Sequence, residues 1–225
     1  MKEVNSYGWK AVIGSSIGYA MDGFDLLILG FMLTLISGDL GLTTGQAGSL
    51  VTWTLVGAVI GGFIFGTLSD KFGRVRVLTW TIVLFAVFTG LCAFAQGYWD
   101  LLIYRTIAGI GLGGEFGIGM ALAAEAWPAQ HRAKATSYVA IGWQLGVLAA
   151  ALLTPVLLPY IGWRGMFMVG IIPAFVAWFF RAKLHEPEIF VQSKETKEHS
   201  HTNSFKLLVK DVRTTKTSIG VAILT

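Results

Sequence analysis

Four ionisable side chains sit in stretches otherwise too apolar to carry charge: Asp22, Asp25, Arg105 and Glu115. Asp22 and Asp25 close the run Gly18-Tyr19-Ala20-Met21-Asp22-Gly23-Phe24-Asp25. On a helix the i, i+3 spacing brings both carboxylates to one face. A helix rises about 1.5 Å per residue, so Asp22 stands roughly 18 Å beyond Lys10, just past the middle of a membrane core. Two carboxylates in a poorly solvated site are suited to loading and unloading a proton near neutral pH. The competing reading is a structural pair, neutralised by Arg105 or by hydrogen bonds at a helix end. Glu115 lies about 15 Å along the helix from Arg105 and also falls near mid-membrane. It is a second candidate for proton or substrate work, and a hydrogen-bonded packing role is the alternative.

Arg105 is followed by Gly109, Gly111, Gly113 and Gly114. Arg105, Gly109 and Gly113 recur at i, i+4, i+8, so a neighbouring helix can approach closely along that stripe. A guanidinium takes a carboxylate through two parallel hydrogen bonds. Its partner is either an anionic substrate or, in the empty state, Asp25. A permanent ion pair between the two helices is the bland alternative.

These residues need apolar elements to hold them, and the composition supplies them. Of 225 residues, 54% are hydrophobic and 13% charged, where a soluble domain carries about 25% charged residues. Mean hydropathy is +0.66. Such numbers argue against a soluble enzyme and against disorder over most of the chain. A bilayer core needs about 20 apolar residues per helix. Six stretches qualify: 11–36, 48–68, 77–95, 101–127, 135–160 and 163–180. The first is too long for the core of a signal peptide and carries two aspartates. Residues 181–217 are polar and Lys-rich and read as a linker. Residues 218–225 turn apolar again and read as the start of a seventh helix. The expected class is therefore an all-α membrane protein with six transmembrane helices (residues 1–180), a linker (181–217) and that start (218–225).

Charge placement orients the spans. With the amino terminus in the cytoplasm, all of the 17 Lys and Arg except Arg105 and Arg164 fall in cytoplasmic segments. This positive-inside bias puts the amino terminus and the linker in the cytoplasm of a cell (inner) membrane protein. It also accounts for the pI of about 9.2 without a nucleic-acid partner.

Other motifs carry less. Gly109-Ile110-Gly111-Leu112-Gly113-Gly114 fits the dinucleotide fingerprint, but it lies inside a long apolar helix instead of between a strand and a helix. His199 and His201 form a weak H-x-H in the linker. The lone Cys92 excludes an internal disulfide and a Cys-based zinc site. No Ser/His or His/Glu metal spacing occurs in the spans, so neither an intramembrane enzyme nor a metal site is expected.

Several motifs fall in order at helix ends. Gly66-Thr67-Leu68-Ser69-Asp70-Lys71-Phe72-Gly73-Arg74-Val75-Arg76 resembles the G-x-x-x-D-[RK]-x-G-R-[RK] loop of major facilitator superfamily transporters, with Val75 where a second basic residue is common. The run from Arg105 to Glu115 resembles that superfamily's R-x-x-x-G-x-G-x-G motif. Gly162-Trp163-Arg164 and Glu186-Pro187 are similar to further marks of the group. The Asp22-Gly23-Phe24-Asp25 run looks like that of proton symporters for organic acids. Gly113-Gly114-Glu115 and Glu125-Ala126-Trp127-Pro128 lean toward the sialic-acid-like members.

The resemblance implies the amino-terminal half of a secondary active transporter, built as a three-plus-three inverted repeat. A small anionic metabolite would cross by alternating access with protons as the coupling ion and no other cofactor. Asp22, Asp25 and Glu115 would handle protons, and Arg105 with Asp25 would bind substrate. Asp70, Arg74 and Glu125 would latch the cytoplasmic side; a surface ion cluster acting only as a topology signal is the alternative. The expected partners are the lipid bilayer and the absent carboxy-terminal six-helix half, which makes the chain a fragment in this reading. An exporter of the same superfamily and a non-transporting truncated membrane protein are the other functional readings.

Overall fold

The computed structural model describes residues 6–181. They lie in one compact unit, Met1–Pro187. The expected linker (181–217), His199, His201 and the expected seventh-helix start (218–225) lie outside the described residues, save for the backbone of position 181.

The described residues form helices and no strands: α1 (Ser6–Leu40), α2 (Thr44–Phe72), α3 (Arg74–Cys92), α4 (Tyr98–Glu125) and α5 (Arg132–Arg181). All are long and apolar enough to cross a membrane. Each apolar stretch becomes a helix because a backbone in lipid must satisfy its own hydrogen bonds. The helices overrun the apolar stretches at several ends. α2 starts in a capping box: Gln46 N donates to Thr43 Oγ1 at 3.3 Å and Thr43 N to Gln46 Oε1 at 3.0 Å. Thr43 therefore fixes the helix start four residues ahead of the apolar run.

The expected fifth and sixth spans share one element. α5 comprises two helices joined at Gly162, whose backbone (φ 63, ψ −179) is not helical. That region is open to glycine almost alone. The register shows what the break does. Along the first limb, Gly142 and Gly146 lie against the carbonyls of Ser16 and Ala20 on α1, so the two run parallel. Along the second limb, Trp163 and Arg164 meet Asp39, while Gly170 meets Ile28. That limb runs antiparallel to α1, so the chain reverses at Gly162. Gly73 (φ 109, ψ 149) occupies the same backbone region between α2 and α3, which explains the glycine of the basic loop.

Two helix pairs approach most closely. On α4, Gly109 and Gly113 lie against the Thr54 and Ala58 carbonyls of α2, while Gly57 and Gly61 of α2 face Thr106 and Ile110. Those glycines pack as the i, i+4 stripe suggested. Arg105 does not join them: its side chain turns toward α1 and α3. Eight residues make two turns and about 80° more, so the first member of the stripe faces another neighbour. The second close pair is α1 with the first limb of α5.

The interior is apolar around a few polar groups. Phe24, Ile28, Leu29 and Met32 of α1 pack with Met166 and Phe167 of α5. Outside, large apolar side chains face away from the bundle, such as Phe63 at 70%, Leu152 at 63% and Phe175 at 68% exposure. So much exposed apolar surface suits lipid and would aggregate in water.

Candidate functional site

Arg105 is the hub. Its side chain is fully buried and meets three other helices. Nη1 donates to Asp25 Oδ2 at 2.8 Å, and Nη2 donates to Asp25 Oδ1 at 3.4 Å. Nη2 also donates to Thr89 Oγ1 at 2.9 Å, and Nε to Cys92 Sγ at 3.3 Å. The Phe167 ring lies 4.9 Å from the guanidinium carbon. Asp25 is thus the partner of Arg105, one of the two expected partners. A charge this deep is tolerated only because nearly every donor is engaged.

The other acids lie deeper toward the amino-terminal end of α1. Asp22 is fully buried one turn from Asp25. Glu115 is also fully buried and accepts from Thr81 Oγ1 at 3.3 Å. Both lie within electrostatic range of the Tyr19 hydroxyl, which donates to the Phe116 carbonyl at 2.9 Å. The four ionisable residues read from the sequence are therefore all buried, in two groups: Asp25 with Arg105, and Asp22 with Glu115 around Tyr19.

The close helix pairs add a relation that no spacing displayed. Gly57 and Gly61 of α2 meet Thr106 and Ile110; Gly142 and Gly146 of α5 meet Ser16 and Ala20. Laying one pair on the other carries Ser16 onto Thr106 and Ala20 onto Ile110. The same register carries Asp25 onto Glu115 and Ser15 onto Arg105. The two acids are thus equivalent positions of an inverted repeat. Asp25 has an arginine opposite it, whereas the matching place opposite Glu115 holds Ser15. The Ser15 hydroxyl is fully buried and has no hydrogen-bond partner among the described residues.

The basic loop gathers at the end where α2 stops and α3 starts. Arg74 Nη2 lies 2.9 Å from Asp70 Oδ1 and 3.2 Å from Glu125 Oε1. Its Nη1 donates to Ser69 Oγ at 2.6 Å. Asp70, Arg74 and Glu125 therefore form one cluster, tying α2, α3 and α4 together. At the opposite end Arg164 donates to Asp39 Oδ2 and to the Ala95 carbonyl, and the Trp163 indole N–H donates to Asp39 at 3.0 Å. The hydrogen bonds from Arg164 and then Trp163 hold the Asp39 carboxyl below the usual carboxylate range. This contact pins the second limb of α5 to α1.

Sequence reading missed Thr81, Thr89, Cys92, Phe167, Tyr19 and Ser15. Thr81 and Thr89 stand in an apolar helix, where nothing in the sequence sets them apart from other threonines. Nothing in the sequence marked Phe167 apart from other aromatics.

With this geometry in view, the chain is similar in sequence to several known proteins. A 75% identical protein of Haemophilus influenzae, "Putative metabolite transport protein", is covered over 56% of its length by 99% of this chain. A probable 4-methylmuconolactone transporter of Cupriavidus pinatubonensis is 40% identical over 80% of this chain and 43% of its own. The sialic acid transporter NanX of Escherichia coli is 31% identical over 91% of this chain and 51% of its own. The chain spans about half the length of these relatives. Among solved structures, the proton:xylose symporter XylE shares the fold, with a TM-score of 0.76 at 24% identity over 87% of this chain and 48% of that one. A family model of the Major Facilitator Superfamily matches residues 15–225, nearly the whole chain: the chain belongs to that superfamily.

Proposed function

We propose that the chain is the amino-terminal half of a secondary active transporter that takes up a small organic anion together with protons, by alternating access. The observation that carries this is the buried Asp25–Arg105 pair. A guanidinium fork holds one carboxylate well. An incoming carboxylate and Asp25 therefore compete for Arg105, and a proton on Asp25 removes the competitor's charge. Proton and anion then enter together because each makes room for the other. Asp22 and Glu115 are the further proton-carrying groups in this reading. The organic-acid relatives support the substrate class, since their names give sialic acid, methylmuconolactone and cis,cis-muconate. Transport accounts for the chain better than catalysis does. Periplasmic or external carboxylates would enter through the inner membrane, with the amino terminus cytoplasmic. The second half of such carriers supplies the facing wall of the cavity.

The test is uptake by the intact protein in proteoliposomes. Radiolabelled sialic acid, cis,cis-muconate, benzoate and niacin are offered with and without an inward proton gradient. The gradient is expected to accelerate at least one of them. Uptake indifferent to the gradient would overturn the coupling, and preference for cationic competitors would overturn the anion class.

In the same reading Asp70, Arg74 and Glu125 latch the cytoplasmic side in the outward-facing state. Asp70→Asn is expected to slow uptake severalfold while the protein still reaches the membrane in normal amount. Exposed pairs contribute only about 0–1 kcal/mol to stability, so the folded half should survive. Wild-type uptake by this variant would reduce the cluster to a topology signal.

A further inference from the structure

We propose that Thr89 is a positioning residue that holds the Arg105 fork half open, so that an anionic substrate can displace Asp25. The inference rests on the reading of Arg105 as the substrate's anchor. It starts from an asymmetry. A relaxed guanidinium–carboxylate fork makes two hydrogen bonds of about equal length, each near 2.7–2.9 Å. Here one arm is 2.8 Å and the other 3.4 Å. The long arm belongs to Nη2, and Nη2 is the nitrogen that Thr89 Oγ1 accepts from at 2.9 Å. The remaining surroundings prevent the guanidinium from turning freely. Cys92 Sγ accepts from Nε, and the Phe167 ring covers one side. Thr89 therefore draws one arm away from Asp25, and the closed pair is held by one strong contact instead of two.

Thr89 comes from α3, which packs against both α4 and α5. Its methyl group faces Gly170, where an added Cβ would meet it at 3.5 Å. Valine has the same shape and keeps that packing, but it offers no acceptor. Without the hydroxyl, Nη2 loses its nearest partner in a fully buried place, and the open option is to close onto Asp25 Oδ1. Asp25 then holds Arg105 through two good bonds, and a substrate carboxylate must break both.

The experiment measures uptake kinetics of the intact protein in proteoliposomes with radiolabelled sialic acid and cis,cis-muconate. Thr89→Val is expected to raise the apparent KM roughly tenfold, the scale of one charge-assisted hydrogen bond, with maximal rate little changed. Thr89→Ser, which keeps the hydroxyl, is expected to return KM to the wild-type value. A merely structural threonine would lower thermal stability and the amount of protein without this KM change. Should Thr89→Val not insert, Thr89→Ala removes the same acceptor and carries the same prediction. Arg105→Gln is run beside them. If it abolishes uptake while the Thr89 variants keep wild-type KM, this inference is wrong and the anion-carrier reading stands. If Arg105→Gln transports normally, or the wild-type protein takes up neither probe, the anchor reading falls and this inference falls with it.

Discussion

Asp25→Asn is expected to abolish proton-driven uptake and to destabilise the helical bundle by about 3–5 kcal/mol, the cost of stranding one member of a buried ion pair. Arg105 is fully buried and Asp25 is 1% exposed. Arginine cannot escape by losing its proton. In the variant, Thr89, Cys92 and the Phe167 ring still surround the guanidinium, but none of them carries charge at neutral pH. Carrier activity fails for a separate reason. An asparagine holds no exchangeable proton that alters its charge, so the competition between proton, acid and anion for Arg105 disappears.

The two consequences come apart in a double variant. Asp25→Asn with Arg105→Gln removes both charges and leaves a neutral polar contact. Thermal unfolding in detergent should show most of the lost stability regained. Uptake should remain absent. A double variant that transports would make the pair a structural brace, and an Asp25→Asn protein with wild-type uptake would move the coupling proton elsewhere. The repeat relation names the place to look. Glu115 occupies the position equivalent to Asp25, but with a serine where Asp25 faces arginine.

The spans were legible because lipid imposes a crude requirement, about 20 apolar residues in a row. Their ends were less so. Thr43 and Gln46 extend α2 ahead of its apolar run through a cap, and the break at Gly162 leaves the last two spans in one element. The charged part of the site was legible for a related reason. A carboxylate or guanidinium in hydrocarbon costs too much to be incidental, so Asp22, Asp25, Arg105 and Glu115 stood out. The basic loop was readable from Asp70 and Arg74, with Glu125 placed beside them by helix order alone.

The neutral half of the site was not legible. A threonine inside an apolar helix is cheap, because its hydroxyl can bond a carbonyl of the preceding turn. Thr54 does this with Leu50 and Thr106 with Leu102. Thr81 and Thr89 looked no different from these in sequence, yet they touch Glu115 and Arg105. Telling a threonine that serves itself from one that serves a charge requires the neighbouring helix. The same limit applied to the glycine stripe. Spacing put Arg105 on the face of Gly109 and Gly113, and only the packing showed the glycines against α2 and the guanidinium against α1.

That packing leads to the second large effect. Gly113→Val and Gly146→Val are each expected to prevent accumulation of folded protein. In lipid, helices gain nothing by hiding apolar groups from one another, so close backbone approach carries much of the association. At Gly113 a Cβ would fall on the Ala58 carbonyl oxygen, and at Gly146 on the Ala20 carbonyl oxygen. Neither obstacle is a side chain that can rotate aside. The helices must separate, and overpacking in a close-packed interior already costs about 1–3 kcal/mol where only side chains have to move. Separation at Gly113 pushes α4 away from α2, and separation at Gly146 pushes the first limb of α5 away from α1, on which Asp25 is carried. Gly48→Ala is the control, since a Cβ there meets nothing within 4 Å and alanine in a helix gains roughly 0.5–1 kcal/mol over glycine. Size-exclusion profiles and thermal unfolding of the purified variants should rank Gly48→Ala at or above wild type and both valine variants far below it. A well-folded Gly113→Val or Gly146→Val protein with wild-type unfolding temperature would mean that the corresponding pair is looser than described. The register that carries Asp25 onto Glu115 uses the Gly146–Ala20 contact, so a loose pair there would remove one of its supports.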